Sequence, residues 1–289
     1  MYAADFDYYS AESVTEVVQL LERHPGASLL AGGHSLIPLL KLRLSRPPAI
    51  IDIGRIGALR GFRRQGAEIR VGCLTTHADL ASSPTMQDFC PLLSEVTGLI
   101  GDPQVRNRGT IGGSVAHAEP AADLPAALTA LGATIRARGP RGQRDIAVGE
   151  FFRGVMETSL EGNELLTDLI VPMRQEGQGM AYAKFPHPAS RFAVLGAAAV
   201  LTVRGGRCQG ASIALGGLVT RPVRAGRVEQ ALTDSVLTEE SMAEAAGLVV
   251  EDLADEELLG DVFASAEYRR AVAPSYVREA LLRAARQAG

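Results

Sequence analysis

Two short glycine-dense segments limit what this chain can fold into: Leu29-Leu30-Ala31-Gly32-Gly33-His34-Ser35-Leu36 and Gly109-Thr110-Ile111-Gly112-Gly113-Ser114. The first lies where an apolar run, Ser28 to Ala31, gives way to a helical run, His34 to Arg43. Glycine at such a handover lets the backbone take a positive φ and come close to a ligand. The helix start adds N–H groups without partners and a partial positive charge. Together these suit a phosphate, and Ser35 adds a hydroxyl. For a Gly-Gly standing alone, a tight turn that binds nothing is the better reading. The second loop, followed by Pro120-Ala121-Ala122-Asp123-Leu124-Pro125, alters that balance. Two loops suit a ligand with two phosphates and a sugar, with Asp123 available to ribose hydroxyls. Asp123 reads equally well as a helix N-cap before Leu124-Pro125, and the residues leave both readings open. A side chain at Gly32 or Gly112 is expected to push the ligand off its backbone donors while sparing the fold.

The two common phosphate fingerprints are absent. Gly177-x-Gly179 has no third glycine at the spacing of G-x-G-x-x-G, and no G-x-x-x-x-G-K-S/T occurs. Neither a Rossmann fingerprint nor a Walker A loop is present, so a dinucleotide would be held by another route.

Periodicity places the loops in a mixed chain. Val14, Val17, Val18 and Leu21 form a helical stripe over Ser13–Arg23, stopped by Pro25-Gly26. With strands at 28–31 and 49–53, this reads as a small parallel βαβ unit. A strand at 67–72, helices through 76–81 and 91–96, and a strand within 163–171 follow. Residues 100–114 lack periodicity and read as loop, and 138–144 as a charged, solvated turn carrying Arg138, Arg141 and Arg144. After a polar linker at 174–179 come strands at 193–204 and 212–218, then helices near 239–252 and 266–286. The expected parts are an N-terminal βαβ subdomain over 1–60, a second subdomain over 61–175 and a C-terminal α+β domain over 176–289.

Composition excludes several function classes. Hydrophobic residues at 46% and charged residues at 21% allow a buried core. A net charge of −4 with scattered basic residues argues against a nucleic-acid footprint. Cys73, Cys90 and Cys208 form no C-x-x-C pair, and none of His24, His34, His77, His117 and His187 falls at H-x-x-x-H spacing. No metal site is therefore expected, and no catalytic residue is nominated. His34 matters more for its backbone N–H than for its ring, and His117 reads as a surface group or one set behind the site. No secretory signal and no transmembrane stretch is readable, which with the sparse cysteines points to the cytoplasm.

The ordered motifs make the chain similar to a known family. Ala31-Gly32-Gly33-His34-Ser35-Leu36, Ile51-Asp52-Ile53, Gln104-Val105-Arg106-Asn107-Arg108-Gly109-Thr110-Ile111-Gly112-Gly113, Pro120-Ala121-Ala122-Asp123-Leu124-Pro125, Ala183-Lys184-Phe185 and Ser265-Ala266-Glu267-Tyr268-Arg269-Arg270 resemble the FAD-binding medium subunit of the xanthine dehydrogenase and carbon monoxide dehydrogenase (molybdenum hydroxylase) family. The resemblance implies an α+β chain: the two-part FAD-binding fold of the vanillyl-alcohol oxidase (PCMH) type, followed by a C-terminal α+β domain. It implies FAD contacts at Leu29, Leu30, Ala31, Gly32, Gly33, His34, Ser35, Leu36, Ile100, Thr110, Ile111, Gly112, Gly113, Ser114, Asp123, Leu166 and Lys184, with Phe192 packing against the isoalloxazine ring. It also implies partners: a large molybdopterin-binding subunit and a small [2Fe-2S] subunit, in a dimer of heterotrimers. Electrons would pass from the clusters through FAD to an external acceptor. From residue chemistry alone, Lys184 reads as a solvated strand lysine and Phe192 as core. One position departs from the pattern: many relatives carry an acidic residue just before the ring-packing position, where this chain has Arg191. Two alternatives are a self-sufficient flavin reductase or oxidase of the same fold, and a non-catalytic FAD-binding scaffold.

Overall fold

The parallel strand–helix–strand pattern expected around the first glycine loop is present in the computed structural model, which describes residues 2–288. β1 (Asp7–Ser10), α1 (Val14–Arg23), β2 (Ser28–Leu30), α2 (Leu36–Lys41) and β3 (Ala49–Asp52) give a parallel sheet in the order β1-β3-β2. Ser13 caps α1 by accepting the Glu16 N–H at 3.1 Å, and Val17, Val18, Leu20 and Leu21 are buried beneath it. β1 escapes the sequence reading because its run, Asp-Tyr-Tyr-Ser, is half-exposed and weakly apolar.

A second sheet follows. After β4 (Phe62–Gln65) and β5 (Glu68–Gly72) come six helices: α3 (His77–Ser82), α4 (Pro84–Phe89), α5 (Pro91–Leu99), α6 (Pro103–Arg106), α7 (Ile111–His117) and α8 (Asp123–Leu131). β6 (Thr134–Gly139), β7 (Gly142–Ala147), α9 (Val148–Phe151) and β10 (Leu165–Pro172) complete it, while β8 (Phe152–Gly154) and β9 (Glu157–Thr158) form a separate short pair before β10. The strand order is β4-β5-β10-β6-β7. β10 is central, buried on both faces, and tied to β5 by a bidentate Arg70–Asp168 pair at 2.6 and 2.7 Å.

Two expectations fail here. Residues 100–114 are not loop throughout, since they contain α6 and the start of α7. Each is too short for an apolar stripe and is started by its cap: Asp102 accepts Val105 N–H at 2.8 Å, and Thr110 accepts Gly113 N–H at 3.2 Å. Residues 138–144 are not a solvated turn either. β6 and β7 run through them as a hairpin closed at Gly139↔Gly142. Arg138 and Arg141 are exposed, but half-buried Arg144 grips the nearly buried Glu164 with two 2.7 Å hydrogen bonds.

The third sheet is antiparallel, β11 (Gln178–Pro186), β12 (Ala193–Arg204), β13 (Arg207–Gly216) and β14 (Val223–Arg224), followed by α10 (Gly226–Leu232), α11 (Glu239–Gly247) and α12 (Ala266–Ala288). Strand alternation splits its side chains between two cores. Met180, Tyr182, Ala198 and Ala214 face the core shared with α5 and α8, whereas Ala181, Ala183, Ala197 and Ala199 face α10–α12. The C-terminal sheet therefore walls the N-terminal parts directly, which brings Phe192 to the glycine loops. Among the described residues, no helix is long and apolar enough to cross a membrane.

Candidate dinucleotide cleft

A cleft of about 580 Å³ runs between these parts. It is lined by the β2–α2 loop (Ala31 to Leu36) with Leu29, by Cys73, Leu74 and His77, by Ile100 and Gly101, and by Thr110, Gly112, Gly113 and Ser114. Asp123, Leu165, Leu166 and the tip Ser190–Phe192 complete the wall. The structure thus brings together all but three of the residues expected from sequence. Leu30 instead borders an adjoining cavity of about 190 Å³ with Arg60 and Arg108. Ile111 is wholly buried core, and Lys184 sits behind Asp123.

The two loops are not equivalent. In the first, Gly33 has φ +79, and the N–H groups of Gly32, Gly33, His34 and Ser35 meet no acceptor among the described residues. Four consecutive open donors on the wall of a cleft form a cradle for an anion. In the second, the N–H groups are already engaged. Ile111 donates to Thr75 O at 3.0 Å, Gly112 to Cys73 O at 2.9 Å, Gly113 to the Thr110 hydroxyl at 3.2 Å and Ser114 to Thr110 O at 3.0 Å. Its glycines serve packing. A Cβ at Gly112 would collide with Cys73, and one at Gly32 with the Arg108 carbonyl, so the first loop is laid against the second. The expectation that side chains at Gly32 and Gly112 would spare the fold is therefore wrong, because their close neighbours are protein backbone.

Asp123 is neither an N-cap nor a free group. Ala122 holds the cap position of α8, and the Asp123 carboxylate accepts from Lys184 Nζ at 2.8 Å and from Tyr182 Oη at 2.9 Å. Burial pushes its carboxyl up from the usual range, and Lys184 and Tyr182 pull it back. Lys184 also donates to Leu99 O at 3.2 Å and is far from solvated. Phe192 is 47% exposed at the cleft rather than core, and Arg191 beside it has φ +60. Neither the Asp123–Lys184 pairing nor the Tyr182 bond was legible, since both span more than fifty residues. Sequence reasoning also missed Cys73, His77 and the Glu161–Leu165 wall. His117, read as peripheral, lines the cleft. Among the described residues, no group of three or more His, Cys, Asp or Glu is placed to hold a metal ion.

The cleft lies between a parallel βαβ unit and an antiparallel sheet, with no Rossmann fingerprint, and its open donors suit a phosphate-bearing ligand. The family pattern "FAD binding domain in molybdopterin dehydrogenase" matches residues 4–174, and "CO dehydrogenase flavoprotein C-terminal domain" matches 180–284. The chain belongs to this family of FAD-binding medium subunits of molybdenum hydroxylases; its cofactor is FAD, and it is an oxidoreductase subunit. It is 40% identical to the carbon monoxide dehydrogenase medium chain of Hydrogenophaga pseudoflava, over 96% of each chain. It is 38% identical to the 6-hydroxypseudooxynicotine dehydrogenase complex subunit alpha of Paenarthrobacter nicotinovorans, over 98% of this chain and 95% of that one. The solved carbon monoxide dehydrogenase of Hydrogenophaga pseudoflava superposes with a TM-score of 0.95 at 40% identity, covering 99% of each chain. Quinoline 2-oxidoreductase from Pseudomonas putida 86 gives 0.94 at 33% identity, covering 100% of this chain and 99% of that one.

Proposed function

We propose that this chain is the electron-transfer subunit of a cytoplasmic molybdenum hydroxylase complex, taking electrons from [2Fe-2S] clusters of a small partner subunit and passing them to an external acceptor. A large molybdopterin-binding subunit would oxidise the substrate, and the assembly would be a dimer of heterotrimers. The observation that carries the reading is the run of open N–H groups at Gly32–Ser35, residues that line the same cleft as the exposed Phe192. FAD, when bound, supplies one- and two-electron chemistry, which suits a junction between clusters and an acceptor. The chain's own residues bind and shape: the first loop takes the diphosphate, the second braces it through Gly32 and Arg108, and Phe192 covers a ring face. The Asp123–Lys184–Tyr182 group fixes the wall between Ile100 and α8. Three separate buried thiols give no cysteine set for a cluster, so the clusters belong to a partner. The relatives' names span substrates as unlike as carbon monoxide and quinoline, so membership of the family leaves the substrate open.

The test is co-expression with the neighbouring genes. The assembled complex should bleach its flavin anaerobically on addition of its substrate, and this chain alone should not. Substrate-driven bleaching by the isolated chain would instead identify a self-sufficient flavoenzyme.

A further inference from the structure

His77 is a buried polar group that the proposed function leaves without a role. It opens α3 behind its N-cap Thr76, its own N–H is donated to Gly109 O at 3.0 Å, and the residue is 3% exposed. The ring lies in the cleft wall, packed over Gly109. A Cβ on Gly109 would stand 2.8 Å from His77 Cδ2 and 3.1 Å from Nε2. Neither ring nitrogen hydrogen-bonds to any described residue. Nδ1 is sealed away from solvent with no partner, whereas Nε2 is not sealed. Burial, with Arg106 and His34 nearby, pushes the ring's pKa down to about 4, so it is neutral at ordinary pH.

A neutral imidazole has one N–H and one lone pair. A proton on Nδ1 would be a buried donor with nothing to donate to, and orphaned buried N–H groups are rarer than orphaned acceptors. The proton therefore belongs on Nε2, the nitrogen with access to the cleft. That donor stands next to the second loop and close to His34 of the first, where the cradle of open N–H groups lies. An uncharged donor there adds a hydrogen bond to an anion without the desolvation cost of a buried imidazolium.

We infer that His77 is a further FAD-binding residue, whose Nε2–H donates to a phosphate oxygen of the dinucleotide held by the Gly32–Ser35 loop. This rests on the FAD reading of the cleft. The test is FAD titration of the flavin-stripped assembled complex, followed by flavin fluorescence, for the parent and three variants. His77→Gln places an amide N–H near the Nε2 position, His77→Asn near Nδ1, and His77→Phe keeps the ring without a donor. We expect His77→Phe and His77→Asn to bind FAD about tenfold more weakly and His77→Gln to stay within about threefold of the parent. Equal affinities for His77→Gln and His77→Asn, or a His77→Phe complex that binds as the parent does, would overturn the inference. Should His77→Phe fail to assemble, the Gln and Asn pair decides alone. A parent complex that takes up no FAD would instead overturn the cofactor reading itself.

Discussion

Lys184 Nζ lies 2.8 Å from Asp123 Oδ2 with 5% and 4% of the two side chains exposed, a charge pair buried where the C-terminal sheet meets α8. Removing one member of such a pair strands the other, which typically costs about 3–5 kcal/mol. Lys184→Met should approach that loss in denaturant unfolding of the flavin-free chain, with Tyr182 still donating to Asp123. Burial already pushes the Asp123 carboxyl up, and losing Lys184 removes its main counterweight. A raised folded pKa means stability that is present at low pH and lost as pH rises through that pKa. The Lys184→Met penalty should therefore be larger at pH 8 than at pH 5. Adding Asp123→Asn should recover most of it; a double variant as unstable as the single one would show that the pair is not the cause.

The glycines of the two loops should separate folding from binding. Gly112→Ala drives a Cβ into Cys73 and should cost about 1–3 kcal/mol in unfolding, by overpacking. Ser114 is half-buried on the cleft wall and makes no side-chain hydrogen bond among the described residues. Ser114→Phe should leave flavin-free stability near that of the parent and abolish FAD retention. The opposite pattern, in which Gly112→Ala is harmless and Ser114→Phe unfolds the chain, would mean that the second loop is not braced as described.

How much of this was legible follows from range. The first loop was readable because strand, glycines and helix are contiguous, and the parallel unit around it forms as the apolar periods demand. α6 and α7 were hidden because they are begun by Asp102 and Thr110 rather than by a stripe. The engagement of the second loop's N–H groups by Cys73 and Thr75 carbonyls lies beyond sequence reasoning, since it joins segments some forty residues apart. Lys184 misled for the same reason: an alternating strand pattern predicts a solvated side chain, and its acceptors come from α5 and α8.

Glu164 supplies a pH test of the β10 wall. Its hydrogen bonds from the Arg144 guanidinium hold its carboxyl below the ordinary carboxylate range. A depressed folded pKa contributes stability that is present above the unfolded value and lost as pH falls through the folded one. The parent should therefore lose part of its stability as pH falls below about 4.3, and Glu164→Gln should flatten that stretch of the acid limb. An unchanged acid limb would mean that the pair contributes nothing.

Arg191 offers a test of charge beside the flavin. It lines the cleft beside Phe192 with its backbone in the left-handed region, which Asn and Asp also tolerate. Arg191→Asn and Arg191→Asp therefore differ mainly in charge. Reduced flavin carries negative charge, and a guanidinium nearby favours it. Unit charges about 6 Å apart at an effective dielectric near 20 interact by roughly 3 kcal/mol before solvent screening. A third of that corresponds to about 20 mV for a two-electron couple. Spectroelectrochemical titration of the assembled complex should give potentials in the order parent, Arg191→Asn, Arg191→Asp, falling by about that step each time. Identical potentials with full FAD content would place Arg191's charge away from the ring.

Whether this chain carries the FAD of a multi-subunit molybdenum hydroxylase is decided by affinity purification through this chain, followed by acid precipitation and quantitation of flavin and metals. One FAD per chain should be released into the supernatant, with molybdenum and iron co-purifying on partner subunits. Flavin released as FMN, flavin retained in the precipitate, or a metal-containing complex with no flavin at all would contradict it.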